Sequence, residues 1–315
     1  MFMRMLPFLI AAVLVLAALA WWLWPRPARL NAAEVDAALA LPLAAPGAPL
    51  RVFHLGHSLV GRDMPAMLAQ LAPDGHRYDS QLGWGTPLKA HWEPGEPING
   101  FEAENAHPRY RAAREAIGSG AYDAVILTEM VELRDAVRYH DSARYLAEWA
   151  QLAQQGNPQA RIYLYESWHR LDDEDGWLAR IDSDLPELWL GELLRPAVAR
   201  TGRPNYLIPA GQVMARLVRK IEAAGGIGGL TQREDLFARD ERGGIDPIHV
   251  NDLGAYLVAL THYAVLYHRS PVGLPHELLR ADGSPADAPS RQAARLMQET
   301  VWEVVTSTPG TGVVR

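Results

Sequence analysis

The chain has 315 residues, 49% of them hydrophobic and 21% charged, with a formal net charge of -7 and no cysteine. The length suits one large α/β domain. The negative balance and scattered Lys and Arg exclude a nucleic-acid footprint. The absence of thiols excludes disulfides, thiolate chemistry and lipoprotein anchoring, and leaves the compartment open.

Residues 6–24 are uncharged and strongly apolar, after a short segment whose one basic side chain is Arg4. At about 1.5 Å per residue this run just crosses a hydrocarbon core of roughly 30 Å. Trp21, Trp22 and Trp24 at its far end suit the aromatic belt of a membrane interface. The expectation is an N-terminal transmembrane helix that anchors the chain in the inner membrane, with the rest exported to the periplasm. The alternative is a signal peptide cut after Ala18-Leu19-Ala20, giving a secreted or periplasmic protein. Residues 1–24 are thus anchor or signal, and residues 25–49, rich in Ala and Pro, read as a linker with a short helix over 31–40. One domain is expected over 50–308.

Within that domain, strand-like apolar runs fall at 50–55, 77–82, 122–128, 161–165 and 205–209. Helical spacing is found at 65–71, 108–117, 135–154, 186–199 and 212–224, then as an amphipathic helix over 252–267, and at 291–306. Strands alternating with helices predict a flavodoxin-like α/β/α sandwich around a parallel sheet. Two Gly-rich segments, 225–229 and 243–244, read as mobile loops. The first is not followed by Lys-Ser or Lys-Thr, so a phosphate-cradling loop is not expected.

Two motifs carry chemistry. The first run leads into Gly56-His57-Ser58-Leu59, and Asp246-Pro247-Ile248-His249 lies near the domain's end. Ligands of open α/β sheets bind at the carboxyl ends of the strands, where Ser58 would sit. Backbone N–H groups at the following helix start are available to an oxyanion there. Pro247 keeps its segment out of a helix, and a turn there would present Asp246 and His249 to one side. A hydroxyl, an imidazole and a carboxylate are the groups nucleophilic acyl transfer requires. A metal site from Asp246, His249, His57 and His54 lacks any recognised ligand spacing. Gly83 and Gly85 leave the second strand where a backbone N–H can approach a substrate oxygen. Glu129 and Glu132 end the third strand, either binding substrate or pairing with Arg134 or Arg138. Glu166 and His169 follow the fourth strand at the same edge, ahead of an acidic run, 172–175, that reads as a solvated loop. Trp84, Trp92, Trp168, Trp177 and Trp189 lie near these motifs and either stack on sugars or pack in the core.

The motifs resemble those of the SGNH, or GDSL-like, hydrolase superfamily. Gly56-His57-Ser58-Leu59 is similar to its first block, with His57 where Asp is usual. Gly85, or alternatively Gly83, is similar to the block that donates an oxyanion N–H. Asp246-Pro247-Ile248-His249 resembles its last block. The resemblance implies a cofactor-free and metal-free serine esterase with Ser58 as nucleophile, His249 as base and Asp246 orienting it. Its substrates would be acyl esters, chiefly O-acetyl esters of envelope or extracellular carbohydrates. An O-acyltransferase, a lipid esterase or thioesterase, and a non-catalytic glycan-binding protein of the same fold remain open. The third block departs from the family: Thr128-Glu129-Met130-Val131-Glu132 stands where Gly-x-Asn-Asp is usual. An ionised Glu donates no hydrogen bond. Backbone donors alone, a protonated Glu, or loss of activity are the three open consequences, with Glu129 or Glu132 expected in the cleft.

Overall fold

A computed structural model describes residues 30–314. Five strands, β1 (Arg51–His57), β2 (Arg77–Gly83), β3 (Ala124–Leu127), β4 (Arg161–Glu166) and β5 (Tyr206–Pro209), form one sheet in the order β2-β1-β3-β4-β5. All its pairings are parallel. Each strand falls on one of the apolar runs. Successive side chains of a strand point to opposite faces, and here both faces are covered. Val52, Ile126, Tyr163 and Ile208 join one core, while Phe53, Val125, Leu164 and Leu207 join the other. Helices pack on each core, which makes the three-layer α/β/α sandwich.

The register sets the functional edge. His57 pairs with Gly83, and Leu55 with Leu127, so β1, β2 and β3 end side by side.

Four helical expectations differ from the structure. The run expected over 108–117 is helical only over Ala113–Gly118, after Tyr110 bridges to Ser80. The region 135–154 is two helices, Leu133–His140 and Ser142–Gly156, separated by Asp141 at φ 49°. The next helical run begins earlier than expected, at Trp177, and winds as a π-helix over Leu185–Leu194 before Arg195–Thr201. Helix Asp252–Tyr267 is buried on every face from Gly254 onward rather than amphipathic. It packs between Asp63–Leu71 and Arg291–Ser307, as a helix apolar all round must. Its start is capped by Asn251, whose Oδ1 accepts from Leu253 N–H at 3.0 Å and Gly254 N–H at 3.1 Å.

The Asp-Pro-Ile-His segment is a strand, not a bare turn. β7 (Ile245–Val250) pairs antiparallel with β6 (Phe237–Arg239) outside the main sheet. The Gly243-Gly244 pair lies in the turn that joins them.

The expected spacer is docked over its described part. Helix Ala32–Leu39 carries a capping box from Asn31 and Glu34 and pairs with Arg195 through Asp36. Leu43 N–H bonds the Gly312 carbonyl at 2.8 Å. The apolar run 6–24 lies outside the described residues. Among those described, no helix is long and apolar enough to cross a membrane.

Candidate active site

Ser58 is the first residue after β1, and its turn is fastened from below. Gly56 approaches β3 so closely that a Cβ would collide with the Thr128 methyl, so only glycine fits. The His91 ring donates from Nε2 to the Gly56 carbonyl at 2.8 Å, and Gln81 donates to His91 Nδ1 at 2.9 Å. His57 donates from Nε2 to the Glu129 carbonyl at 2.7 Å. Burial pushes both imidazoles down to about 4, so both are neutral braces at ordinary pH.

The second motif meets this turn. His249 Nε2 lies 2.9 Å from Ser58 Oγ, and His249 Nδ1 lies 2.9 Å from Asp246 Oδ2. For Ser58 to donate to Nε2, the proton must sit on Nδ1, and the carboxylate stabilises that tautomer. Asp246 Oδ1 meanwhile accepts the N–H groups of Ile248, at 2.9 Å, and His249, at 3.0 Å. This local turn brings Asp246 and His249 to one side despite the alternation of a strand. Partial burial pushes the Asp246 carboxyl up. The His249 and Ile248 N–H donors and the His249 ring outweigh that and hold it below the usual carboxylate range.

Because β7 is outside the main sheet, it needs other anchors. The Trp168 indole N–H donates to the Ile248 carbonyl at 2.8 Å, and Leu171 N–H to the Pro247 carbonyl at 2.7 Å. Both donors lie in the loop after β4. That loop is held by Arg180, whose buried guanidinium binds Asp173 at 2.8 Å, Glu132 at 2.8 Å and Asp184 at 2.9 Å.

Ser58 and His249 open onto a cleft of about 1000 Å³. Gly85, at φ 51°, lines it and has open space where a Cβ would stand. Among the described residues, the Gly85 N–H finds no protein acceptor. Trp84 stands on the rim, 53% exposed, with its indole N–H bonded to Glu104 at 2.7 Å and its ring packed over Gly100. Arg62, His107, Arg170 and Arg280 also line the cleft, and no motif marks them in the sequence.

Several expected residues lie elsewhere. Gly83 is enclosed by Ile98 and Thr86, so of the two glycines Gly85 reaches the cleft. Glu129 does not face the cleft. It is fully buried, and its Oε1 accepts from Met130 N–H at 2.8 Å and Leu88 N–H at 3.2 Å. Burial does push its carboxyl up to about 7, against those N–H donors. Glu132 caps helix Leu133–His140 and binds Arg180; Arg134, one of its expected partners, pairs through its guanidinium with Asp175. Glu166 is fully buried beside Gln212. His169 is buried against Asp184 at 3.1 Å. The acidic run is largely solvated as expected, with Asp172 and Asp175 exposed while they pair with Arg170 and Arg134, and Asp173 drawn in onto Arg180. Trp168, Trp177 and Trp189 are core residues, and Trp92 packs edge-on against Trp149. His54 sits in the core near His262, with no contact to Asp246. Among the described residues, no group of three or more His, Asp or Glu is placed to hold a metal.

The motif residues come together at the carboxyl edge of an open parallel sheet, in an α/β/α sandwich. The fold is similar to that of a DUF4886 family protein from Bacteroides uniformis, with a TM-score of 0.56 and 12% identity over 82% of this chain and 96% of that one. Weaker similarity is found to a protein from Parabacteroides merdae assigned to the GDSL-like lipases (TM-score 0.42, 12% identity, 69% of this chain and 95% of that one). It is also found to a carbohydrate esterase family 2 enzyme from Corynascus thermopiles (TM-score 0.36, 12% identity, 71% and 67%). No family model and no curated protein matches the chain.

Proposed function

We propose that the protein is a serine esterase that cleaves acyl esters, with O-acetyl groups on carbohydrates as its substrates. The observation that carries this reading is the unbroken chain from Ser58 Oγ through His249 to Asp246, set at the strand edge over a large cleft. His249 Nε2 takes the hydroxyl proton as Ser58 attacks the carbonyl carbon. The negative oxygen of the tetrahedral intermediate is received by the Ser58 and Gly85 N–H groups. Collapse breaks the ester C–O bond, and His249 returns its proton to the departing alcohol. Water then attacks the acyl-Ser58 ester with His249 again as base, releasing the acid and restoring the hydroxyl. Backbone donors replace the family's Asn donor in this scheme, since the Glu129 carboxyl points away.

A carbohydrate as the alcohol is supported by Trp84, an exposed ring held in a fixed pose beside Gly85, suited to the apolar face of a sugar. The width of the cleft also favours a second reading, transfer of the acyl group to another sugar hydroxyl, which shares the same acyl-enzyme. The apolar run 6–24 supports an envelope location with the domain exported. The test is fluorophosphonate labelling together with release of acetate from acetylated xylan. Wild type is expected to be labelled and active, and Ser58→Ala neither. Labelling that persists in Ser58→Ala ends the assignment. Absence of both labelling and acetate release in wild type leaves a glycan-binding role instead.

A further inference from the structure

The Ser58–His249 pair opens onto a second, much smaller cavity beside the main cleft. Its volume is about 130 Å³, and Ser58 and His249 line both spaces. Leu59, Val60, Met64, Ala255 and Val258, all at least nine-tenths buried, contribute its apolar lining. The acidic and amide side chains around it are already engaged, and the exposed Arg62, which also lines it, donates from Nη2 to the Ala103 carbonyl. Asp63 accepts the Ala281 N–H at 2.8 Å, Asn251 caps the buried helix, and Asp252 binds the Arg280 guanidinium. An occupant therefore finds apolar contacts, the reacting pair and the remaining N–H donors of Arg62.

We propose that this cavity is the acyl pocket and that it restricts the protein to short acyl groups, with the alcohol portion of the ester in the large cleft beside Trp84. The proposal rests on the esterase reading and deepens it. The cavity's volume is about an eighth of the cleft's, and well above the roughly 10–15 Å³ that a single water needs. That is room for a short acyl chain. The walls leave little slack, because Val60, Met64 and Val258 also belong to the packed core between helices Asp63–Leu71 and Asp252–Tyr267. Once the pocket is full, each further methylene must displace core side chains, and interiors at crystal-like density resist that.

The test measures kcat/KM of the full-length protein on nitrophenyl acetate, butyrate, hexanoate and octanoate. Values are expected to hold from acetate to butyrate and to fall about tenfold or more by hexanoate, the scale at which a single methylene is discriminated in a pocket. Ala255→Val, which fills the pocket, should lower butyrate relative to acetate. Met64→Ala, which enlarges it, should restore hexanoate. The ratio between chain lengths is read within each variant, so a loss of folded protein does not imitate the effect. Octanoate cleaved as well as acetate by wild type overturns the proposal. So does a ratio unchanged in Ala255→Val. If Ser58 is labelled by fluorophosphonate and the profile is flat, only the acyl pocket falls. If no ester is cleaved and no label is taken, the esterase reading falls and the pocket with it.

Discussion

The indole N–H of Trp168 donates to the carbonyl of Ile248 at 2.8 Å, across 80 positions of sequence. This bond and its neighbour, Leu171 N–H to Pro247, tie the strand that carries His249 to the loop after β4. β7 has no hydrogen-bonded partner in the main sheet, so the position of His249 over Ser58 depends on them. Displacements of about 1 Å at such a site cost on the order of 10²-fold in rate.

Trp168→Phe keeps the ring in the core and removes the donor. The expected result is a fall in kcat of about ten- to a hundredfold with little change in KM, because the substrate cleft does not include Trp168. Steady-state kinetics on a short-chain ester decides this. An unchanged kcat would mean that the Leu171 bond and the β6 pairing hold the strand without it.

Asp246→Asn removes the carboxylate that fixes the Nδ1–H tautomer of His249. The two backbone bonds to Oδ1 can persist, so the fold should survive. Activity should fall on the order of 10³–10⁴-fold, the scale seen when the carboxylate of a Ser-His-Asp site becomes an amide. Circular dichroism beside the rate measurement separates this loss from unfolding, and a drop below tenfold would argue against the orienting role.

Gly56→Ala should destabilise the protein by about 1–3 kcal/mol, the usual cost of inserting atoms where none fit. The intruding Cβ meets the Thr128 methyl. Thr128→Ser removes that methyl and keeps the hydroxyl that donates to the Tyr165 carbonyl at 2.8 Å. In a double-mutant cycle from urea unfolding, Thr128→Ser should cost less in the Gly56→Ala background than in wild type. Strict additivity would show that the clash lies elsewhere.

Glu166 gives a pH prediction with a definite sign. Burial raises its carboxyl from 4.5 to about 8 in the folded protein, against the Gln212 and Gly211 donors. Between those two values the folded state holds a proton that the unfolded state has lost. Stability from this group is therefore complete below about pH 4.5 and declines as pH rises towards 8. At about 1.4 kcal/mol per unit, the decline is on the order of a few kcal/mol. Glu166→Gln removes this titration. Its stability relative to wild type should improve steadily from pH 4.5 to 8 and stay level above. Parallel stability curves for the two proteins would contradict the assignment.

The sheet was legible in the chain because its signals are local. Four of the five strands are largely apolar runs bounded by turn or helix residues, as strands covered on both faces are, while the edge strand β2 carries buried Asp79, Ser80 and Gln81. Ser58, Asp246 and His249 were legible as a group because their chemistry is complementary and Ser58 directly follows an apolar strand run. The distances that join them were not. Nor was the direction of the two glutamates at the β3 exit. Glu129 and Glu132 differ little in sequence context, yet one is sealed under Leu88, 41 positions away, and the other binds Arg180, 48 positions away. The same holds for Trp84 and Trp168, of which one rims the cleft and the other braces β7. Periodicity and turn propensity act over a few residues and are written in the chain itself. Burial, protonation and hydrogen-bond partner are set by whichever distant residues the packed fold brings alongside, and only the tertiary structure decides them.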